Sequence, residues 1–96
     1  MAINLTVILK SKPESSAILK SLLLDLVQNS TKEAACLQYD LHQSEEDSNI
    51  FIFHEVWENE AGLQFHNKQL HLISFFENSR SLLYEAPIVY RTYKLA

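Results

Sequence analysis

Glycine is almost absent from the chain, which has one glycine among its 96 residues. Loops that cradle phosphate groups, of the GxGxxG or GxxxxGK type, need several glycines because the backbone must approach the phosphate closely. The sequence therefore excludes the usual classes of nucleotide-binding protein.

Cysteine is equally scarce, since Cys36 is the only one. A single cysteine cannot form a disulfide within the chain, and unpaired cysteines are typical of reducing compartments. The first residues also lack the charged and apolar regions of a signal peptide. Together these features predict a cytoplasmic protein.

Two further features are missing, a cluster of basic residues and a long apolar segment. Eight Lys and Arg residues are scattered along a chain whose formal net charge is −4, so no basic stripe is available to neutralise phosphates. No apolar run approaches the roughly 20 residues that span a bilayer. We expect neither a nucleic-acid partner nor a membrane partner.

Apolar residues, in contrast, are abundant enough to form one core. Hydrophobic residues make up 47% of the chain and charged residues 21%, which is ordinary for a globular protein. The length suits one domain, and no linker, repeat or low-complexity segment divides it. We predict a single domain over residues 1–96.

The N-terminal part of the chain predicts a strand followed by a helix. Residues 3–9 are mostly β-branched and alternating. Ser11 and Glu14 match a capping box, and leucines at helical spacing follow. Asn29 is placed to end this helix in a left-handed cap.

A hairpin is predicted next. Residues 36–43 form a second strand, with Leu37 expected beside Tyr39 on one face. The polar residues 44–49 then connect it to a third strand.

The third strand, residues 50–57, is apolar on both faces. One face carries Phe51, Phe53, Glu55 and Trp57, and the other carries Ile50, Ile52, His54 and Val56. A strand of this kind is covered on both sides, whereas two helices can cover only one side of a small sheet. We therefore predict a homodimer, in which a second copy covers the other side.

The rest of the chain predicts a broken helix and a fourth strand. Asn59 is a good N-cap for a helix in which Ala61, Phe65 and Gly62 are expected to face inward. The helical pattern breaks near residues 67–69 and then resumes, and residues 88–95 predict the last strand. The order βαββαβ indicates a ferredoxin-like α+β fold, with a four-stranded antiparallel sheet and the helices on one face.

Several short motifs lie along this framework, each at a characteristic distance from the next. They are Ala35-Cys36-Leu37-Gln38-Tyr39-Asp40-Leu41, Phe53-His54-Glu55-Val56-Trp57, Asn59-Glu60-Ala61, His66, His71-Leu72 and Phe75. Together they resemble the antibiotic biosynthesis monooxygenase domain, over essentially the whole chain.

The resemblance implies a dimeric α/β barrel in which two sheets face each other. It also implies oxidation of a quinol-like or polyphenolic small aromatic substrate by dioxygen, with no flavin, haem or metal cofactor. An electron-rich phenol, once deprotonated, can itself pass an electron to oxygen, so the protein need supply only a dry pocket, orientation and a proton acceptor. The alternatives are a non-oxidative isomerase of the same family and a non-catalytic dimeric module that binds a small ligand.

The sequence departs from the family pattern at two places. Ala35 stands where the family usually has Gly, so the turn into the second strand can differ. Haem-degrading relatives would have Trp in place of His66 and an iron-binding His in place of Phe76, and haem degradation is therefore not expected.

The candidate catalytic residues are His66 and Glu55. Imidazole titrates near pH 6.5, which suits His66 to accept a substrate proton. Glu55 shares a strand face with aromatic residues, where a carboxylate needs a partner, so we expect it to pair with a His or Arg and to orient His66. A purely structural role is the alternative for both.

The candidate substrate-binding residues are Trp57, His71, Phe75, Phe76 and Asn4. The three aromatic side chains would hold the ring, although aromatic residues in such positions are also common as plain core. His71 is expected at the pocket mouth or at the helix break. Asn4 is expected at the pocket or its rim, with an exposed strand edge as the alternative.

No metal site is expected. The spacing i, i+5 does not place His66 and His71 on one face of a continuous helix, unlike the HExxH arrangement that binds zinc. The cations Lys68, Arg80 and Arg91 are expected to be solvated or interfacial, and would matter for a phosphorylated substrate.

Overall fold

The computed structural model describes residues 1–96 as one antiparallel sheet with three helices. The elements are β1 (Ile3–Lys10), α1 (Ser16–Ser30), β2 (Cys36–Gln43), β3 (Ile50–Trp57), α2 (Glu60–Asn67), α3 (Leu70–Ser79) and β4 (Ile88–Thr92). The strands lie in the order β2-β3-β1-β4, and every pair is antiparallel. The ferredoxin-like α+β prediction is confirmed. None of the helices combines the length and the apolar character that a membrane span requires.

The core lies between the helices and one face of the sheet, which we call the inner face. It consists of Leu9, Leu19, Leu23, Leu26, Tyr39, Phe51, Phe53, Trp57, Leu63, Leu72 and Phe75. Each such side chain contributes roughly 1.5–3 kcal/mol when it is removed from water. This layer fixes the positions of the helices over the sheet.

The opposite side of the sheet, the open sheet face, is not covered by the chain itself. It is formed by Asn4, Thr6, Ile8, Gln38, Asp40, His42, Ile52, His54, Val56, Ile88, Tyr90 and Thr92, which alternate with the inner-face residues. None of these side chains is buried. The two-sided apolar character predicted for β3 is thus real, and one of its sides stays uncovered in the single chain.

A β-bulge at the start of β2 changes the predicted facing of its residues. Cys36 pairs with Trp57 and Gln38 pairs with Val56, so the register shifts by one residue between them. Leu37 is the extra residue and is 61% exposed. Its predicted position beside Tyr39 was wrong, because a bulge interrupts the alternation on which that prediction depended.

Both predicted caps of α1 were wrong. A 3-10 turn over Pro13–Ser15 precedes the helix, and the hydroxyl of Ser11 donates to Asn49 Oδ1 (3.3 Å) instead of capping. No residue has a positive φ, so Asn29 does not form a left-handed cap. Its side chain instead donates to the carbonyl of Asp25.

The cap of α2 is confirmed, since Asn59 Oδ1 accepts from the backbone N–H of Gly62 at 2.8 Å. The predicted break is also confirmed, because α2 ends at Asn67 and α3 begins at Leu70. The last strand is shorter than predicted and ends at Thr92.

The inward face of α2 agrees with the prediction only at Gly62. Gly62, Leu63 and His66 are buried, whereas Ala61 is exposed and Phe65 is 59% exposed. A Cβ on Gly62 would come within 2.3 Å of Ala35 Cβ, so the helix packs on its glycine against the start of β2. This contact points His66 inward and Phe65 to solvent.

Candidate functional site

A cavity of about 390 Å³ lies between the inner face and the helices. Its size is within the range of small-ligand sites, and most of the side chains that line it are apolar. At one end it contacts the buried side chains of Tyr39, Glu55 and His66. At its rim it contacts exposed polar residues, which are Gln64, Asn67 and Arg91.

Glu55 lies on the inner face of β3 and is 6% exposed. Its Oε1 accepts a hydrogen bond from the indole Nε1–H of Trp57 at 2.9 Å. Burial raises the pKa of Glu55 from 4.5 to about 7, and the Trp57 bond opposes this shift only partly. A carboxyl group with a pKa near neutrality can both give and take a proton.

The partner predicted for Glu55 was wrong, because Trp57 and not a His or Arg bonds to it. An indole N–H satisfies one oxygen lone pair without bringing a compensating positive charge. This explains why burial has a strong effect on the pKa of Glu55.

The wild type is expected to lose stability as the pH rises above about 5, and Glu55→Gln should abolish this loss. The unfolded chain ionises Glu55 at its usual pKa of 4.5, whereas the folded protein holds the proton up to about pH 7. The free energy of unfolding therefore falls between these pH values, by roughly 3 kcal/mol at about 1.4 kcal/mol per pKa unit. Glutamine keeps an acceptor for Trp57 but does not titrate.

Urea denaturation of both proteins at pH 4.5 and pH 8, at one protein concentration, measures this effect. The variant should gain about 2–3 kcal/mol relative to the wild type between the two pH values. An equal pH dependence of the two proteins would show that Glu55 titrates normally in the folded state.

His66 is held by a carboxylate that the sequence analysis did not single out. Its Nδ1 lies 2.6 Å from Oε2 of Glu33, in the turn between α1 and β2. An ionised carboxylate only accepts hydrogen bonds, so we assign the proton of the neutral ring to Nδ1. Nε2 is then left as an acceptor, and His66 lines the cavity.

The surroundings of His66 favour its neutral form. Burial lowers the pKa of His66, while the hydrogen bond and charge of Glu33 act in the opposite direction. The ring is 3% exposed and packs on the indole of Trp57, with centroids 4.3 Å apart. His66 is thus an oriented, unprotonated imidazole near neutral pH, which is the state a proton acceptor requires.

His71 bonds to the same oxygen, with its Nε2 2.7 Å from Glu33 Oε2. The i, i+5 argument assumed a continuous helix, but the break between α2 and α3 lets both imidazoles reach Glu33. Glu33 was not predicted because it lies 33 residues from His66 along the chain. Its only signal was that it just precedes the Ala35–Leu41 motif.

Glu33, His66 and His71 are also the residue types that bind zinc, and their ligand atoms lie within 4.8 Å of one another. Two atoms on one tetrahedral zinc ion would be about 3.3 Å apart. The observed separations of 2.6 and 2.7 Å are hydrogen-bond distances. We therefore describe this group as a hydrogen-bonded cluster.

The structure brings only part of the predicted site together. Phe75 and Phe76 line the same cavity as Glu55 and His66. Trp57 is fully buried behind His66, and His71 lies behind Glu33, so neither lines the cavity. Asn4 pairs with Val56 and Thr92 on the open sheet face, away from the cavity.

This fold and site define a class of small α+β proteins, in which a ferredoxin-like sheet and its helices enclose a small-ligand cavity. Residues 3–78 match the family described as antibiotic biosynthesis monooxygenase, and the chain belongs to that family. The family and its relatives support a general monooxygenase-like function.

Two relatives have similar sequences. A Bacillus subtilis protein named "Putative monooxygenase YcnE" is 36% identical over 80 residues, which cover 83% of this chain and 83% of that protein. An uncharacterized protein of Synechocystis sp. is 32% identical over 88 residues, which cover 92% of this chain. The match spans 59% of the length of the Synechocystis protein.

Solved structures agree with the fold. The crystal structure of PA3566 from Pseudomonas aeruginosa matches with a TM-score of 0.93 at 34% identity, covering 99% of this chain and 95% of that one. A crystal structure described as an antibiotic biosynthesis monooxygenase matches with a TM-score of 0.93 at 25% identity and covers 100% of both chains.

Proposed function

We propose that the protein is a monooxygenase that needs no cofactor and oxidises a quinol-like or polyphenolic small molecule with dioxygen. One observation carries the proposal: two proton-transferring groups, Glu55 and an oriented His66, line the same apolar cavity. Membership of the monooxygenase family supports the same reaction class.

The reaction begins with proton transfer from a ring hydroxyl to His66 Nε2. The resulting phenolate donates an electron to dioxygen. Recombination at a ring carbon that carries a hydrogen, with the proton returned by His66, places a hydroperoxide on the ring. The outer oxygen then leaves as water and the hydrogen of that ring carbon leaves as a proton that restores Glu55, which gives a quinone, so one oxygen atom enters the product and the substrate supplies all the electrons. Phe75 and Phe76 hold the ring, and an apolar cavity keeps bulk water from the phenolate.

Glu33 and Glu55 have separate roles in this proposal. Glu33 fixes the tautomer of His66 and stabilises the imidazolium formed after proton transfer, as a carboxylate does for a catalytic histidine. Glu55, with a pKa of about 7, donates the proton that leaves with the water molecule. The orienting role that the sequence assigned to Glu55 thus passes to Glu33.

A homodimer is part of the proposal. The open sheet face presents half-buried Ile8, Ile52 and Val56 beside polar side chains, and no element of the chain packs on it. A second copy placed there would bury these residues and close the barrel that the resemblance implies. We further infer a cytoplasmic location, which the unpaired Cys36 supports.

An isomerase is the second candidate. A base and an acid of near-neutral pKa facing one cavity also suit the movement of a proton between two carbons of a substrate. The cavity is open, so a ligand-binding module without catalysis, the third candidate, would differ from these enzymes only in turnover.

Oxygen uptake with a panel of hydroquinones, with chelator present and no cofactor added, tests the proposal. We expect one dioxygen consumed per substrate, a quinone product that has gained one oxygen atom from dioxygen, and no hydrogen peroxide, at a rate proportional to enzyme. Conversion of a substrate without oxygen uptake would establish the isomerase. Ligand binding with neither conversion nor uptake would leave the binding module.

A further inference from the structure

A row of side chains crosses the cavity floor from its buried end to its rim. Glu55 of β3 pairs with Leu5 of β1, and Leu5 pairs with Arg91 of β4, so the three residues share one row of the inner face. All three line the cavity. Neighbouring strands are about 4.8 Å apart, which places the Cα atoms of Glu55 and Arg91 about 10 Å from each other across the floor.

Arg91 is the only lysine or arginine among the residues that line the cavity. Its side chain is 52% exposed, and its Nη2 donates to Oε1 of Glu60 at 2.5 Å. Glu60 also accepts from Gln64 through its other oxygen. These three polar residues connect α2 to β4 at the cavity rim.

The pair between Arg91 and Glu60 leaves the guanidinium available to a ligand. An arginine has five N–H donors, and this contact uses one of them. Because both side chains are half exposed, the pair is a weak one that an anionic ligand can share or displace. Glu60 therefore acts as a competitor for the same cation.

We infer that the cavity takes hydroxyaromatic compounds carrying a carboxylate at the end opposite the hydroxyl, with Arg91 binding the carboxylate at the rim. The hydroxyl then reaches the buried end, where Glu55 and His66 lie. This inference rests on the proposed function only for the orientation of the ligand. It makes Arg91 a specificity residue and not a catalytic one.

Two naphthalene probes of the same ring size test the inference by calorimetry under argon, where no oxidation occurs. They are 6-hydroxy-2-naphthoic acid, with hydroxyl and carboxylate at opposite ends, and neutral 2-naphthol. Arg91→Gln should weaken binding of the acid by roughly 10-fold or more and leave 2-naphthol within about twofold. Glu60→Gln should tighten binding of the acid, because it removes the competitor.

Arg91→Lys and Arg80→Gln are the matched variants. Lysine restores the charge at position 91 and should recover part of the affinity for the acid. Arg80 does not line the cavity, so Arg80→Gln should leave the affinity for both probes unchanged. Higher salt should weaken binding of the acid and leave binding of 2-naphthol unchanged. Equal losses for both probes in Arg91→Gln, no effect of that variant, or no binding of the acid to the wild type would each overturn the inference.

The binding result is independent of turnover. Tight, Arg91-dependent binding of the acid without any oxygen uptake would leave the inference standing and remove the proposed function. Oxygen uptake with hydroquinones but no preference for the acid would do the reverse.

Discussion

Replacing His66 with glutamine is expected to lower kcat by about 10²- to 10⁴-fold, the usual contribution of a positioned general base. Glutamine can fill much of the space against Trp57 and still donate to Glu33, so ligand affinity should change only severalfold. Oxygen uptake gives kcat, and anaerobic calorimetry gives the dissociation constant. Full turnover with normal binding would exclude His66 as the proton acceptor.

Glu33→Gln separates orientation from proton transfer. The hydrogen bond and charge of Glu33 raise the pKa of His66 against the effect of burial, so their loss should lower it further. The acidic limb of kcat/KM, which reports protonation of His66, should then move to lower pH while kcat falls. A role of Glu33 limited to folding would leave the position of this limb unchanged.

Glu77→Gln is the matched control for both variants, because Glu77 is exposed on α3, does not line the cavity and bonds to neither His66 nor His71. The thermal midpoint of each variant shows whether it is folded. Activity of the control should stay close to that of the wild type, and a similar loss there would point to a general effect of introducing glutamine.

The fold was predictable because its signals are local. The apolar run of residues 50–57 and the break near residues 67–69 are read from neighbouring positions, and both are confirmed, by β3 and by the separate helices α2 and α3. The errors also have local causes. Leu37 lies in a bulge and Phe65 was turned outward by the packing of Gly62, and neither is visible in periodicity.

The candidate site was only half predictable because its polar contacts are long-range. Sequence patterns found His66 and Glu55, but Glu33 joins His66 and His71 across 33 and 38 residues. The partner of Glu55 is two residues away, yet a strand pattern does not show that an indole N–H would reach back to it. Residue types singled out Glu55 and His66, which both line the cavity, but they did not indicate the hydrogen-bond partner of either residue.

The second large effect is expected from a substitution in the proposed homodimer interface, at Ile52 on the open sheet face. We expect the wild type to sediment at twice the mass of one 11.1 kDa chain at micromolar concentration. Ile52→Lys should raise the dimer dissociation constant on the order of 10³-fold, because a two-fold interface receives the buried charge from both copies. Sedimentation equilibrium over a concentration series measures this change.

Ile18→Lys is the matched control, since Ile18 is 58% exposed on α1, on the helical side of the sheet. It introduces the same charge without touching the open sheet face and should leave the dimer intact. Ile52 contributes no buried contact to the core between the inner face and the helices, so the Ile52→Lys monomer should keep its helical circular dichroism. A wild type that sediments as a single chain at tens of micromolar would contradict the dimer, and the open sheet face would then remain in water.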